Sequence, residues 1–170
     1  MAYRIIPNCK NNKILIFKII CLVALTVSPW AMRLAQAQTS KGDRLIGTYR
    51  VVEPETKEDS KVKIFKTADG KYKGQVIWLA VPNMKDGTPK RDILNPDPKK
   101  RNTPGDQIVL LWNFEYDADK DMWVNGEIYD PCHGKTYKCR LNFESATKLK
   151  VRGYIGAPAF GKSMYWYKID

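Results

Sequence analysis

Residues 108–116 have the sequence Ile-Val-Leu-Leu-Trp-Asn-Phe-Glu-Tyr, which is the clearest strand pattern in the chain. Every second residue is apolar or aromatic, and the polar residues Asn113 and Glu115 fall between them. Because successive side chains of a strand point to opposite faces, this alternation predicts a strand with one unbroken apolar face. In a closed sheet that face would look inward. It consists of Ile108, Leu110, Trp112, Phe114 and Tyr116.

Seven further stretches show strand patterns and are separated by turn residues such as Asp69-Gly70. No stretch keeps the 3.6-residue apolar period of an amphipathic helix over three turns. Many short strands joined by turns are typical of a β-sandwich or a barrel, and an eight-stranded meander can close and so remove its exposed edges. We therefore predict an all-β fold, a single antiparallel β-barrel. The predicted strands are 45–52, 61–66, 73–80, 108–116, 123–129, 136–143, 148–155 and 163–169.

The N-terminus has the pattern of a secretory signal. Its cations Arg4, Lys10, Lys13, Lys18 and Arg33 occur without any Asp or Glu, and a short apolar run ends at Ser28-Pro29. Ala35-Gln36-Ala37 then supplies the small residues of a cleavage site. The apolar run is shorter than the roughly 20 residues that cross a bilayer. We predict a signal peptide over 1–37, one domain over 38–170, and a periplasmic or secreted protein.

The chain is basic, with a formal charge of +11. After loss of the leader the remaining excess of Lys and Arg is moderate, and it would suit association with an envelope surface of anionic lipid or with an anionic ligand. There is no arginine-rich run of the kind that nucleic-acid binders carry, so nucleic acid is not an expected partner. The sequence does not indicate an oligomeric state.

One segment interrupts the strand pattern. Residues 81–106, the proline-rich loop, hold five of the ten prolines in the chain. A loop of this length in a small domain is usually a lid, a binding loop or disordered, and we expect an ordered flap over one barrel mouth. Asn95-Pro96-Asp97 can cap one short helical turn, because Pro suits the first helical position.

Two cysteines, Cys132 and Cys139, remain after export. An oxidising compartment would allow a disulfide, but the bridged Cα atoms must lie within about 7 Å. Cys132 falls in a turn and Cys139 well inside the next strand, so the sequence leaves the bridge open.

The segment 156–163, Gly-Ala-Pro-Ala-Phe-Gly-Lys-Ser, matches the phosphate-binding loop pattern. That mechanism requires a helix directly after the loop, whereas Met164 to Asp170 alternate like a strand. We interpret the segment as a glycine-rich β-turn.

Asp117, Asp119 and Asp121 have the spacing of the start of a calcium loop. The sixth position, which should be Gly, is Met122, and the twelfth, which should be Glu, is Ile128. A solvated hairpin turn is the better interpretation.

His133, the single histidine, lies between Cys132 and Gly134 in a turn. These residues do not complete a tetrahedral metal site, and a catalytic cysteine would need its base brought to it by folding. No Gly-x-Ser-x-Gly elbow occurs. We therefore predict no catalytic residues, no metal and no cofactor.

Several blocks together resemble a known family. They are Val76-Ile77-Trp78-Leu79, Asn95-Pro96-Asp97-Pro98, residues 126–131 (Gly-Glu-Ile-Tyr-Asp-Pro), 134–137 (Gly-Lys-Thr-Tyr) and 149–156 (Leu-Lys-Val-Arg-Gly-Tyr-Ile-Gly). In this order they resemble the exported bacterial proteins of the domain of unknown function 2147 family, from about Leu45 to Ile169. The resemblance implies a lipocalin-like fold, and Gly47-Thr48-Tyr49 is similar to the lipocalin Gly-x-Trp motif. Cys139 matches a cysteine common in the family and Cys132 does not, so no family disulfide carries over.

The resemblance and the aromatic content favour binding over catalysis. We expect a small apolar or amphipathic ligand in a barrel cavity, because barrel mouths and ring-lined interiors suit such ligands. The alternatives are a structural or partner-binding envelope protein with a filled barrel and, less favoured, an envelope enzyme. Arg152 belongs to the site only if it points inward, and apolar Val151 is the default for the interior. The candidate ligand-binding residues are Tyr49, Trp78, Leu110, Trp112, Phe114, Tyr137, Arg152 and Tyr154.

Overall fold

Eight antiparallel strands close into a barrel in chain order, as the alternating patterns predict. The structure is a computed structural model that describes residues 41–170; the predicted signal peptide lies outside the described residues. Strand β8 pairs with β1, which places Tyr49 opposite Lys168 and Arg50 opposite Tyr167. The strands are β1 (Gly47–Val52), β2 (Asp59–Lys66), β3 (Tyr72–Leu79), β4 (Val109–Asp117), β5 (Met122–Asp130), β6 (Lys135–Phe143), β7 (Lys148–Tyr154) and β8 (Gly161–Lys168).

The predicted apolar face of β4 is wrong in one respect. Leu111 and Phe114 are both buried although they are three residues apart, while Trp112 is only half-buried. The cause is a β-bulge at Asn113, which has a φ of 63°, because three residues of β4 oppose two of β3 there. A second bulge at Asn125 on β5 has the same form, so β4 and β5 stay in register with each other. Local alternation could not reveal this change of face.

Side chains fill the centre of the barrel. A side chain with no exposed surface has no water-sized void beside it. The small inward residues create no cavity either, because larger neighbours occupy their space. A Cβ on Gly126 would lie 2.3 Å from the Phe114 ring, and one on Gly74 would lie 3.2 Å from Leu111. The side chains with no exposed surface are Leu45, Tyr49, Val62, Trp123, Cys139, Leu141, Leu149 and Val151.

One end of the barrel is closed by a 3-10 turn, Asp43–Leu45, that precedes β1. Leu45 is fully buried, and the Tyr49 hydroxyl donates to its carbonyl at 2.8 Å. Arg44 lies over the rings of Trp123 and Phe143 at 5.3 and 5.4 Å. Lys168 Nζ donates to the carbonyls of Arg44 and Ile46 and thereby ties the turn to β8. This end therefore offers no way into the barrel.

The proline-rich loop has a defined fold. Two isolated bridges, Asn83–Pro89 and Arg91–Pro104, fold it back on itself. It contains the predicted short helical turn, a 3-10 turn over Pro98–Lys100, whose first residue is Pro98 and whose N-cap is Asp97. The Asp97 carboxylate accepts from the backbone N–H of Lys99 at 3.0 Å.

Candidate functional site

The loops that join β1 to β2, β3 to β4, β5 to β6 and β7 to β8 meet at the other end of the barrel, which we call the mouth. Inward side chains become more exposed towards this end. Val51, Val76 and Ile128 are 7%, 4% and 9% exposed, whereas the layers below them lie close to zero. The inward apolar side chains nearest the mouth are therefore slightly more exposed than those of the filled barrel below them.

Tyr137, Met164 and Lys162 complete the mouth. Tyr137 lies opposite Ile128 and on the same face of β6 as buried Cys139, and it is half-buried. Met164 lies opposite Val151, and its sulfur accepts the Trp166 Nε1–H at 3.2 Å. Lys162 lies on the same face of β8 as Met164 and is exposed. The arrangement combines a ring and a thioether with the exposed cations Lys162 and Lys135, the latter on the same face of β6 as Tyr137.

Three of the predicted ligand-binding residues lie on the inner face of the barrel. Tyr49 and Phe114 are buried in the filled part, where no ligand could touch them without displacing the core. Tyr137 alone of these three lies at the mouth.

Four others lie on the outer surface. Trp78 is 43% exposed and packs under Lys61, whose Nζ is 5.1 Å from the ring centroid. Trp112 donates its Nε1–H to Glu127 Oε2 at 2.6 Å and pairs with that outward residue. Arg152 and Tyr154 lie on the face of β7 opposite buried Val151, as the default in the sequence predicts. The barrel wall thus separates these residues from the interior, and Leu110 is half-buried beside the core.

A buried polar cluster that the sequence does not reveal lies outside β5. Asp92 of the proline-rich loop is 3% exposed and its carboxylate accepts from the Tyr129 hydroxyl and the Asn95 Nδ2–H, both at 2.6 Å. Arg101 Nε donates to the carbonyl of Asn95 at 2.8 Å. Burial and the nearby Asp92 carboxylate raise the pKa of the Tyr129 phenol. Because Tyr129 points outward, this part of the loop packs on the outer wall of β5. At the same end of the barrel, Lys90 of the loop donates to Glu58 of the β1–β2 loop.

The β5–β6 turn completes this contact. Gly134 has a φ of 63°, and a Cβ on it would lie 2.1 Å from the carbonyl oxygen of Leu94. Only glycine lets the loop backbone come this close. The blocks Asn95-Pro96-Asp97 and Tyr129-Asp130-Pro131 therefore contact each other. Both belong to the motifs that resemble the family, and this is the sequence signal that could have suggested the contact.

The same turn carries His133 and Cys132. His133 Nδ1 lies 2.8 Å from Asp130 Oδ2, and the other oxygen of Asp130 accepts the backbone N–H of Cys132 at 3.0 Å. Partial burial, with the carboxylates Glu53, Asp130, Glu55 and Glu58 nearby, raises the pKa of the Cys132 thiol. A raised pKa is the opposite of what a nucleophilic cysteine needs.

Both cysteines of the described part are free thiols, so the disulfide that the sequence left open is not formed. Cys139 is buried inside the barrel, opposite Gly126 and Gly153. Burial raises the pKa of its thiol to about 12. It behaves as a small core residue.

A depression of about 310 Å³ lies at the closed end, outside the barrel. Its charged groups already have partners: Arg44 donates to Asp121 at 2.8 Å, and Glu144 lies 3.0 Å from Lys148. It is lined by Arg44, Asp121, Phe143, Glu144, Ser145, Ala146 and Lys168. We assign it no ligand.

No group of three or more His, Cys, Asp or Glu within residues 41–170 could hold a metal ion. Across the same residues, no helix has the length and apolar character needed to span a membrane.

Comparison with known proteins gives two matches. A family model described as "Uncharacterized protein conserved in bacteria (DUF2147)" matches residues 47–168. A solved structure, described as protein HP1028 from the human pathogen Helicobacter pylori and as belonging to the lipocalin family, is 29% identical with a TM-score of 0.62. The match covers 74% of this chain and 83% of that one. A search of curated proteins finds no match.

Proposed function

This chain belongs to the DUF2147 family of bacterial proteins and has a lipocalin-like barrel, and from that premise we propose that it binds the apolar end of a small amphipathic molecule at the barrel mouth. The observation that carries the proposal is that Tyr137 and Met164, on the inner face at the mouth, are only partly buried, and that Val51, Val76 and Ile128 beside them keep 4–9% exposure.

Filling of the barrel limits the depth of such a site. A ligand that reached the level of Phe114 or Leu141 would have to displace side chains with almost no exposed surface. Overpacking of a closed core is itself destabilising, by roughly 1–3 kcal/mol. The ligand that fits is one whose tip, rather than its whole length, enters the protein.

Lys162 supports a preference for an anionic ligand. It is exposed on the inner face of β8, two residues before Met164 and on the same face. A carboxylate or phosphate at the rim would pair with its ammonium while the apolar part contacts Tyr137 and Met164. The nearby Arg152 does not serve this role, because its guanidinium donates to the carbonyls of Pro158 and Ala159 outside the barrel.

Binding rather than catalysis is the function that we propose. The Asp130–His133 pair lies on an exposed turn, and the raised pKa of the neighbouring Cys132 thiol does not favour nucleophilic attack.

Export is part of the proposal. If the Ala35-Gln36-Ala37 site is used, the intact mass of the protein from the periplasm or the medium corresponds to a chain that starts at Gln38. A mass that retains Met1 would contradict export by cleavage.

Titration of the purified protein with dodecanoate and dodecanol, followed by Trp fluorescence and calorimetry, tests the site. We expect micromolar affinity for dodecanoate, a tenfold or larger loss in Tyr137→Ala, and in Lys162→Gln a loss for dodecanoate but not for dodecanol. Lys73→Gln, which removes an exposed cation on the outer face of β3, is the control and should bind normally.

A second function, a partner-binding protein with a filled barrel, is favoured by the fully buried interior side chains. Failure of both ligands to bind a folded protein would leave this function in place of the first. Native mass spectrometry of freshly purified protein distinguishes ligand binding from partner binding independently, because it would reveal a small molecule that copurifies.

A further inference from the structure

The charges of the barrel wall are segregated by strand. Strands β6, β7 and β8 contain eight Lys and Arg residues and no Asp or Glu. The neighbouring strands β4 and β5 contain four Asp and Glu residues and no Lys or Arg. One side of the molecule is therefore basic and the adjacent side acidic, although the moderate net charge alone does not indicate this.

Five of these eight cations lie on the outer surface, namely Lys138, Arg140, Lys148, Lys150 and Arg152. Outward positions alternate with the buried Leu141, Leu149, Val151 and Trp166. Arg140 lies directly opposite Arg152, a like-charge pair that is unfavourable unless an anion is present. We call the following set of outward residues the basic face: Arg140, Lys148, Lys150, Arg152, Tyr165 and Tyr167.

Aromatic rings are interleaved with these cations. Lys150 pairs with Tyr165, and Lys148 pairs with Tyr167, which in turn pairs with Arg50 of β1. The rings of Tyr165 and Tyr167 are 38% and 44% exposed. Tyrosine has an apolar body and a polar tip, and it is enriched where protein meets the headgroup layer of a membrane.

The turn from β7 to β8 adds two protruding apolar side chains at the mouth end of the same strands. Ile155 is 71% exposed and Phe160 is 80% exposed. Arg152 holds this turn in place, because its guanidinium donates to the carbonyls of Pro158 and Ala159 and to Ser163 Oγ at 2.7, 3.1 and 3.0 Å. The apolar tips are thus presented by an already ordered turn, which lowers the entropy cost of inserting them.

We propose that the basic face docks on an anionic lipid bilayer, with Phe160 and Ile155 entering the interfacial layer. The face is a broad outer surface of three paired strands rather than a cleft, so its complement is an extended anionic surface. Glu144 lies 3.0 Å from Lys148 and 3.4 Å from Lys150, and its carboxylate partly neutralises the positive charge of the basic face. This site is separate from the mouth interior, and neither proposal depends on the other.

Vesicle co-sedimentation tests the proposal. The full chain is mixed with vesicles of phosphatidylcholine alone or with added phosphatidylglycerol, over a range of salt concentrations. The test variant is Arg140→Gln/Lys148→Gln/Lys150→Gln. The control, Lys85→Gln/Lys99→Gln/Lys100→Gln, removes the same charge from exposed positions of the proline-rich loop. All of these proteins are isolated in the same way and have the same N-terminus, so differences between them report on the barrel.

We expect binding to the anionic vesicles that weakens with salt, and at least a tenfold loss in the test variant. Each Lys or Arg near an anionic surface contributes roughly a fivefold factor. The control should lose less than threefold, and Ile155→Ser/Phe160→Ser should weaken binding even at high salt. Equal losses in the test variant and the control would overturn the proposal, as would unchanged binding of the folded test variant. Equally tight binding to soluble polyphosphate that does not depend on Phe160 would also overturn it.

Discussion

The Tyr129 hydroxyl donates a 2.6 Å hydrogen bond to Asp92 Oδ1, and this bond joins β5 to a loop residue 37 positions earlier in the chain. Asn95 Nδ2 donates to the other oxygen of the same carboxylate. With both groups buried, the pair anchors the proline-rich loop to the outer wall of the barrel.

Tyr129→Phe should reduce the free energy of unfolding by about 1–3 kcal/mol, because the buried Asp92 carboxylate loses one of its two side-chain donors. Urea unfolding measures this loss. Hydrogen exchange should also become faster at the amides of Asp92 and Gly105, which bond within the loop. Tyr154→Phe removes a hydroxyl with no hydrogen bond among the described residues and serves as the control. Equal effects of the two variants would contradict the anchoring role.

Gly134→Ala should destabilise the protein by more than about 3 kcal/mol, because the new Cβ meets the Leu94 carbonyl at 2.1 Å in addition to the cost of the left-handed backbone. Gly70→Ala is the matched control. Its φ is 81° but nothing lies within 4 Å, so it should cost only about 1–2 kcal/mol. Thermal unfolding of both variants measures the difference. Similar melting temperatures would show that the Leu94 carbonyl does not pack against Gly134.

Phe114→Ala should cost about 3–5 kcal/mol, because its ring fills the space above Gly126 in the core. Trp112→Ala should cost clearly less, since its ring is half-buried on the outer wall and bonds Glu127. Strict alternation along β4 would make the two losses similar, so urea unfolding of this pair tests the bulge at Asn113.

Asp121→Asn should lower stability by about 1 kcal/mol at neutral pH, a figure that allows for solvent screening of a half-exposed side chain. Hydrogen bonds from Tyr116 and Arg44 hold the pKa of the Asp121 carboxyl at about 2, below its ordinary value of 3.8. A lowered folded-state pKa means that the stabilisation is complete above pH 4 and is lost as the pH falls through about 2. The gap between wild type and variant in urea unfolding should close over that window; a gap that persists at pH 2 would contradict the assignment.

Alkylation of the native protein should label Cys132 and spare Cys139. Cys132 is exposed, whereas burial closes off Cys139 and raises the pKa of its thiol to about 12. Peptide mass spectrometry after iodoacetamide treatment reads out each site. Labelling of Cys139 should appear only in denaturant, and a bridged Cys132–Cys139 peptide would refute the free thiols.

Strand patterns predicted most of the fold because they are local. Residues 123–129, 136–143 and 148–155 were each identified from alternation alone and lie within one or two residues of β5, β6 and β7. A short helical turn was predicted at Asn95-Pro96-Asp97 for the same reason, and it begins two residues later, at Pro98 with Asp97 as its N-cap. The candidate site was predicted less well, and only Tyr137 among its residues lies at the mouth.

The sequence by itself determined the number of strands, their turns and the absence of a helix after the Gly-Lys-Ser turn, because a period of two and turn chemistry are encoded by adjacent residues. Tertiary structure alone decided that Leu111 rather than Leu110 or Trp112 faces the core, since a bulge exists only relative to a partner strand. It also decided that Phe114 fills the space above Gly126, that Asp92 meets Tyr129, and that the outward cations of β6 and β7 lie beside the tyrosines of β8. Each of these depends on pairing between residues far apart in the chain, which closure of the barrel brings together.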